Sequence, residues 1–447
     1  MDRVKISEIY KDVMKYNEVK VCGFIRNLRD SKNIAFIELN DGSNFKSIQV
    51  VVNNNITNFN DIVSLNIGSC VEVIGNVILT PNAKQPFELV ANSIVISGKS
   101  TPEYPLQNKR HTMEFLREHA HLRARTSTFS AVFRVRSVLA NEIHNYFNNL
   151  GYVYINTPII TSSDGEGAGE MFKVTTDDKK DFFGKDAYLT VTGQLMAECM
   201  MMGLSSVYTF GPTFRAENSN TTRHAAEFWM MEPEIAFADL NECMNIEEDM
   251  VRTVIKNTMI RCEDEIKFFN DFIDKNLINK LNNVVDNNFE RITYTDAIDI
   301  LIKNNDNFEY KVEWGTDIAT EHERYIAEVI YKKPVFITDY PKEIKAFYMK
   351  QNDDNKTVAA VDLVVPGIGE MIGGSQREED YDKLVNRMKE LNMNIESYDW
   401  YLDVRKYGTC VHSGFGLGFE RLIMYVTGIT NIRDTIPFPR TVGNLKY

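Results

Sequence analysis

No run of about 18 apolar residues occurs in the 447-residue chain, so no segment reads as a membrane-spanning helix. The start, MDRVKISEIYKDVMKY, alternates charged with apolar residues and lacks the apolar core of a secretion signal. A cytosolic protein with no membrane contact is expected. Cysteines are few and scattered: Cys22, Cys70, Cys199, Cys243, Cys262 and Cys410 form no CxxC pair, so neither a zinc ribbon nor a disulfide framework is indicated. Basic charge is scarce too. The net charge of −13 is the wrong sign for a chain that handles nucleic acid, but it is unevenly spread. Residues 1–125 carry 16 Lys plus Arg against 13 Asp plus Glu, a balance of +3 that leaves −16 for the remainder. A slightly basic N-terminal module joined to an acidic body fits. With 43% hydrophobic and 25% charged residues the composition is ordinary for a globular protein, and the length allows two or three domains.

The most informative stretch is Tyr208 to Phe237, YTFGPTFRAENSNTTRHAAEFWMMEPEIAF, where apolar and aromatic runs flank a charged loop. It reads as a β-hairpin. Alternation would put Arg215 and Glu217 on one face, the connection adds Arg223 and His224, and the return strand brings Glu227, Phe228, Glu232 and Glu234. Cross-strand ion pairs on a solvated hairpin would account for the charges alone. They leave Phe228 and Trp229 unexplained, whereas a planar aromatic beside guanidinium groups suits a stacked purine with clamped phosphates.

This stretch resembles motif 2 of the class II aminoacyl-tRNA synthetases, and FRAEN, RH and EF are worded as in the aspartate, asparagine and lysine subclass. The resemblance implies that Arg215, Glu217, Arg223, His224 and Phe228 bind ATP. The remaining chain can be read against it. Residues 18–97 alternate five short β-rich runs with turns, the spacing of a small closed barrel such as an OB-fold. Arg29, Phe36 and Gln49 sit on successive predicted strands. By composition they are a surface charge, a core ring and a polar residue; by resemblance to the subclass's anticodon-binding domain they contact anticodon bases. Residues 101–125 read as a hinge whose Lys109, Arg110, Arg123 and Arg125 either touch RNA or are simply solvated.

From Ser127 the apolar residues Phe129, Val132, Phe133, Leu139, Ile143, Tyr146 and Leu150 recur at helical spacing, with Gly151 as the stop and a strand, YVYINTPIIT, behind it. In the family this helix and strand form motif 1, which implies a homodimer. SSDGEGAGEMFKV has three glycines in five residues but no Gly-Lys-Ser/Thr, so a mobile loop is expected and not a P-loop. Resemblance assigns Glu166, Thr192 and Gln194 to the substrate's α-ammonium group. Residues 240–330 read as packing helices without recognisable chemistry, and DYPKEIKAFY resembles an active-site segment of the subclass to which no role can be attached.

AAVDLVVPGIGEMIGGSQREED places Asp362 and Glu370 on a mainly apolar hairpin. Two such carboxylates are costly to bury without a cation, and Mg2+ bridging nucleotide phosphates would supply one; a surface hairpin with ion pairs is the alternative. The family's metal-binding Asp and Glu match them. HSGFGLGFERLIMYVTG resembles motif 3, which implies that its glycines admit the nucleotide and that Arg421 meets the γ-phosphate. The expected fold is therefore α+β, an OB-fold β-barrel over 1–100, a hinge over 101–125, and a class II catalytic domain of antiparallel sheet flanked by helices over 126–447. The expected reaction activates an amino acid with ATP, through positioning and charge neutralisation by Arg215, Arg421 and Mg2+, and passes it to a tRNA.

Aspartate-specific members carry a Lys three residues after the Gln that matches Gln194, and an Asp four residues after the stacking Phe. Here these positions are Ala197 and Glu232. A side-chain carboxylate would face Arg377 alone and be repelled by Glu232, whereas an amide can accept from Arg377 and donate to Glu232. L-Asparagine and tRNA(Asn) are the expected substrates. The rivals are aspartate, disfavoured by Ala197 and Glu232, a non-catalytic RNA-binding paralogue, disfavoured by the full set of site residues, and an ammonia-dependent asparagine synthetase, disfavoured by the barrel.

Overall fold

The computed structural model describes every residue except 84, 166–169 and 177–181, and divides into two compact units, Met1–Ala131 and Val132–Tyr447. In the first, β1 (Glu18–Asp30), β2 (Ile34–Asn40), β3 (Ile48–Asn53), β4 (Cys70–Leu79) and β5 (Phe87–Gly98) close into a barrel in the order β1-β2-β3-β5-β4. Closure depends on β1, which pairs with β2 through its second half and with β4 through its first. A register shift between Ile25 and Asn27 lets it bend from one partner to the other. Alternate residues Val19, Val21 and Ile25 point inward, to meet Ile37, Val50, Val73 and Leu89 in one core. At Gly75 the backbones come so close that a Cβ would stand 2.4 Å from the Val90 carbonyl oxygen.

Arg29 and Phe36 are cross-strand partners on β1 and β2, with the guanidinium 5.0 Å from the ring centroid. Gln49 on β3 is opposite Glu38, two residues from Phe36, so all three occupy neighbouring strands on one outer face. Phe36 is half-buried and stands outside the barrel core. The stretch read as a hinge contains two short helices, Met113–Glu118 and Ala120–Arg123, the first capped by Thr112 accepting from the Phe115 N–H. Arg123, read as either RNA-facing or solvated, is instead buried, its guanidinium 4.2 Å from the Phe129 ring centroid.

The helix Ser127–Asn149, which begins in the first unit and lies mostly in the second, ends ahead of Gly151, whose φ is +79°. The single strand expected next is two short ones, β6 (Val153–Tyr154) and β7 (Ile160–Thr161), because Pro158 between them has no N–H to give a ladder. β7 joins β8 (Lys173–Val174) and β9 (Ala187–Leu189) in a three-stranded sheet of order β7-β9-β8. The main sheet adds β10 (Ser206–Phe214), β11 (Glu227–Ala236), β12 (Glu290–Thr293), β13 (Val335–Pro341), β14 (Thr357–Val365), β15 (Gly369–Gln376) and β16 (His412–Gly418). Its order is β12-β13-β14-β15-β16-β11-β10-β6, antiparallel throughout except for the two outermost pairs.

The helix Leu240–Arg261, capped by the Asp239 side chain, lies against this sheet and buries Met250, Val251 and Val254 together with Glu247. Burial pushes the Glu247 carboxyl up to about 8; the Cys243 thiol, donating at 3.4 Å, opposes the shift and the Asp362 charge adds to it. A carboxyl raised above its unfolded value contributes its stabilisation in full below that value and loses it as pH rises through the folded one. Glu247→Gln is therefore expected to melt higher than the unmodified protein at pH 8 and to lose that advantage at pH 5. Thermal melts at both pH values check this, and an offset independent of pH would contradict it.

Candidate active site

β10 and β11 form the expected hairpin, pairing Phe214 with Glu227, Thr213 with Phe228 and Thr209 with Glu232. Strand pairing stops at Phe214, so Arg215 and Glu217 stand just beyond it; the Arg215 N–H still reaches the Ala226 carbonyl at 3.0 Å. The Arg215 guanidinium lies 5.5 Å from the Phe228 ring centroid. Arg215, Glu217, Arg223, His224, Phe228 and Arg421 all line one cavity, with Glu370, Gly416 and Gly418 on its floor. Burial and the neighbouring Arg421 charge lower the pKa of Arg223, with the Glu323 charge opposing them. Arg421, in the first turn of helix Phe419–Thr427, donates to the Glu370 carbonyl at 2.6 Å.

A second cavity shares Arg215, Glu217, Met230, Glu370 and Gly416 with the first, and extends to Gln194, Glu232, Lys345, Asp362 and Arg377. Thr192 and Gln194 open the helix Gln194–Leu204, where the Thr192 hydroxyl and the Gly193 N–H both donate to the Glu232 carboxylate. Gln194 is buried and its Nε2 has no hydrogen-bond partner among the described residues, the condition of a polar group that awaits a ligand. Glu166 lies outside the described residues. Ala197, where aspartate-specific members place a cation, is completely buried.

Arg377 does not stand alone, as the sequence suggested. Its Nε and Nη2 donate to the two oxygens of Glu234 at 3.2 and 2.6 Å, and its Nη1 donates to the Ser375 hydroxyl at 2.7 Å. Burial opposes the Arg377 charge, but Glu234 outweighs it and keeps the guanidinium protonated. Beneath this pair is a further buried group: the Glu198 carboxylate accepts from Arg405, from the Tyr401 hydroxyl at 2.7 Å, and is met by His412 Nε2 at 2.8 Å. Burial would raise Glu198, yet the Arg405 and His412 charges hold it low, at about 2. Nothing in the sequence marked Glu234, Glu198 or Arg405 as a group.

Asp362 on β14 pairs with Gly373 on β15. A Cβ at Gly373 would stand 3.2 Å from Glu370 Oε1 and 3.5 Å from Asp362 Oδ1, so both carboxylates converge on space that glycine leaves open. Lys345 Nζ donates to the other Asp362 oxygen at 2.6 Å. Glu323, from the stretch that offered no chemistry, accepts from the Glu370 N–H at 3.0 Å; burial first, then the Glu370 charge, raises its carboxyl to about 7.

Comparison with known proteins bears on this geometry. The family model "tRNA synthetases class II (D, K and N)" matches residues 112–442, and an OB-fold nucleic acid binding domain matches residues 19–97. The chain is 58% identical to an asparagine–tRNA ligase of Bacillus cereus and 57% identical to that of Acetivibrio thermocellus, each over the full length of both chains. Among solved structures it superposes on asparaginyl-tRNA synthetase from Pyrococcus horikoshii complexed with asparaginyl-adenylate with a TM-score of 0.90. That match has 34% identity and covers 100% of this chain and 99% of that one.

The alternate glycines of β16 give a test of the arrangement. A Cβ at Gly414 would stand 2.3 Å from Glu234 Oε1 and 2.6 Å from Arg377 Nη2, whereas at Gly416 it would meet only the mobile end of Met230 at 2.9 Å. Gly414→Ala is expected to force the buried pair apart and cost on the order of 3 kcal/mol, with Gly416→Ala much milder. Denaturant unfolding of the two variants checks this, and equal losses would mean the pair can adjust.

Proposed function

The chain belongs to the class II tRNA synthetases that serve aspartate, lysine and asparagine, and from that membership we propose that it is the asparagine-specific kind. It joins L-asparagine to tRNA(Asn) in two steps. The substrate carboxylate attacks the α-phosphorus of ATP, the bond to the β-phosphate breaks, and pyrophosphate leaves with the electron pair. A ribose hydroxyl of the terminal adenosine then attacks the acyl carbon of the adenylate, releasing AMP and a proton. Neither step needs a protein nucleophile, so the residues act by position and charge. The observation that supports this reading is the pair of cavities with a shared wall, whose linings suit a nucleotide on one side and an amino acid on the other.

In the first cavity the adenine stacks on Phe228 while Arg215, Arg223, His224 and Arg421 take the phosphates and Glu217 holds the nucleotide. In the second, Gln194 lines the wall that takes the amino-acid head, with Thr192 bonded to Glu232 beside it; Glu166, outside the described residues, is assigned to the same ammonium group by resemblance alone. The side-chain amide accepts from Arg377, which Glu234 holds in place, and donates to Glu232. Because Glu234 already neutralises Arg377 and Glu232 adds a negative charge, an aspartate carboxylate would enter against a net negative field, whereas a neutral amide can accept and donate.

The carboxylates of Asp362 and Glu370 fit Mg2+ in chemistry, being hard oxygen donors aimed into one gap, though no group of three or more possible metal ligands occurs among the described residues. Bound there with phosphate oxygens, Mg2+ would supply neutralisation of the charge that develops on the leaving pyrophosphate. On the barrel, Arg29, Phe36 and Gln49 receive the anticodon. Exposed apolar residues around β6 and β7, among them Val153, Tyr154, Ile159 and Ile160, support association with a second copy. No helix among the described residues is long and apolar enough to cross a membrane.

Pyrophosphate exchange into ATP should depend on asparagine, with aspartate at least a hundredfold poorer. Exchange with aspartate would overturn the pocket assignment, and exchange with neither would leave a non-catalytic RNA-binding relative. Arg29→Ala is expected to slow charging of tRNA(Asn) about tenfold or more while the exchange rate stays within twofold, as follows from losing about 1–3 kcal/mol of base contact. Equal loss in both assays would remove the anticodon role.

A further inference from the structure

Lys345 has no duty in the scheme above. It belongs to the segment DYPKEIKAFY, lies in the wall of the second cavity, and is largely buried, with its Nζ 3.9 Å from the Tyr340 ring centroid and 2.6 Å from Asp362 Oδ2. The other carboxylate oxygen, Oδ1, faces the gap over Gly373 that Glu370 also borders. Asp362 thus carries a cation on one side and an open approach on the other. A dication entering that gap would share the carboxylate with an ammonium a few ångströms away, and in a desolvated site the two repel strongly. The phosphates that occupy the adjoining cavity are the anions able to relieve that repulsion, because Lys345 and Arg215 border the same space.

We propose that Lys345 is a resident counter-ion which holds the Asp362 carboxylate when no nucleotide is bound and competes with a divalent cation for it. Tight metal binding then waits for nucleotide phosphates to take over the ammonium. This makes Lys345 a positioning residue that couples metal loading to ATP, and it rests on the metal reading of Asp362 and Glu370.

The test is binding of Mn2+ to the nucleotide-free full-length protein, followed by the paramagnetic resonance signal of the free ion. Lys345→Met and Lys345→Gln should each bind Mn2+ at least tenfold more tightly than the unmodified protein, and Lys345→Arg should match it. Adding Asp362→Asn to Lys345→Met should abolish the gain. If the Met variant does not melt as a folded protein, the Gln variant decides. Unaltered affinity in the folded neutral variants overturns the proposal. Asp362→Asn alone, titrated with Mn2+ in the presence of a non-hydrolysable ATP analogue, separates the two readings. Weakened binding there beside unaltered Lys345 variants sinks only the counter-ion role, and unchanged binding there removes the metal reading and this proposal together.

Discussion

Arg377 and Glu234 face each other with side chains 2% and 0% exposed, and neither charge could stay there without the other. Their contact requires β16 to pass without a side chain at Gly414. Gly414, Gly416 and Gly418 share one face of that strand by its two-residue alternation, so a strip of bare backbone floors the site. The two cavities exist because this strip lies between side-chain-bearing neighbours, β11 and β15. The large polar groups therefore rise from the flanking strands and lean inward over the strip.

A second tier of charge supports the first. Glu198, from the helix behind the pocket, is held by Arg405, Tyr401 and His412 with no exposed oxygen, and its field reaches both members of the pair above it. Layers of this kind are stiff because any displacement separates opposite charges in a medium that screens them poorly. Stiffness suits an enzyme whose protein groups contribute placement and fixed charge instead of bonds. The same principle runs through the side that holds Asp362 and Glu370, where Lys345 pairs with the first and Arg421 with the second.

Much of the lining of the two cavities was legible in the sequence because its signals are local. FRAEN and EF lie on two strands of one hairpin, so their register needs no knowledge of the rest of the chain, and a carboxylate inside an apolar run such as AAVDLVV announces a cost that something must meet. Barrel strands were legible from alternation in the same way. What failed to show were groups defined by distant parts of the chain. Glu198 and Arg405 are 207 residues apart, and Glu234 and Arg377 are 143 apart. Each is ordinary in its own segment. Arg123 misled because a buried arginine over Phe129 reads the same in sequence as a solvated one. Pro158 was noticed, but its power to split a strand in two depends on which neighbours need its missing N–H.

Five residues form the partition common to both cavities, and Glu370 and Arg215 among them face either side. A partition of that kind cannot settle around one occupant without altering the welcome it gives to the other. Any coupling that this partition carries between the occupants of the two chambers is reciprocal: whatever factor one occupant applies to the affinity for the other, the other applies in return.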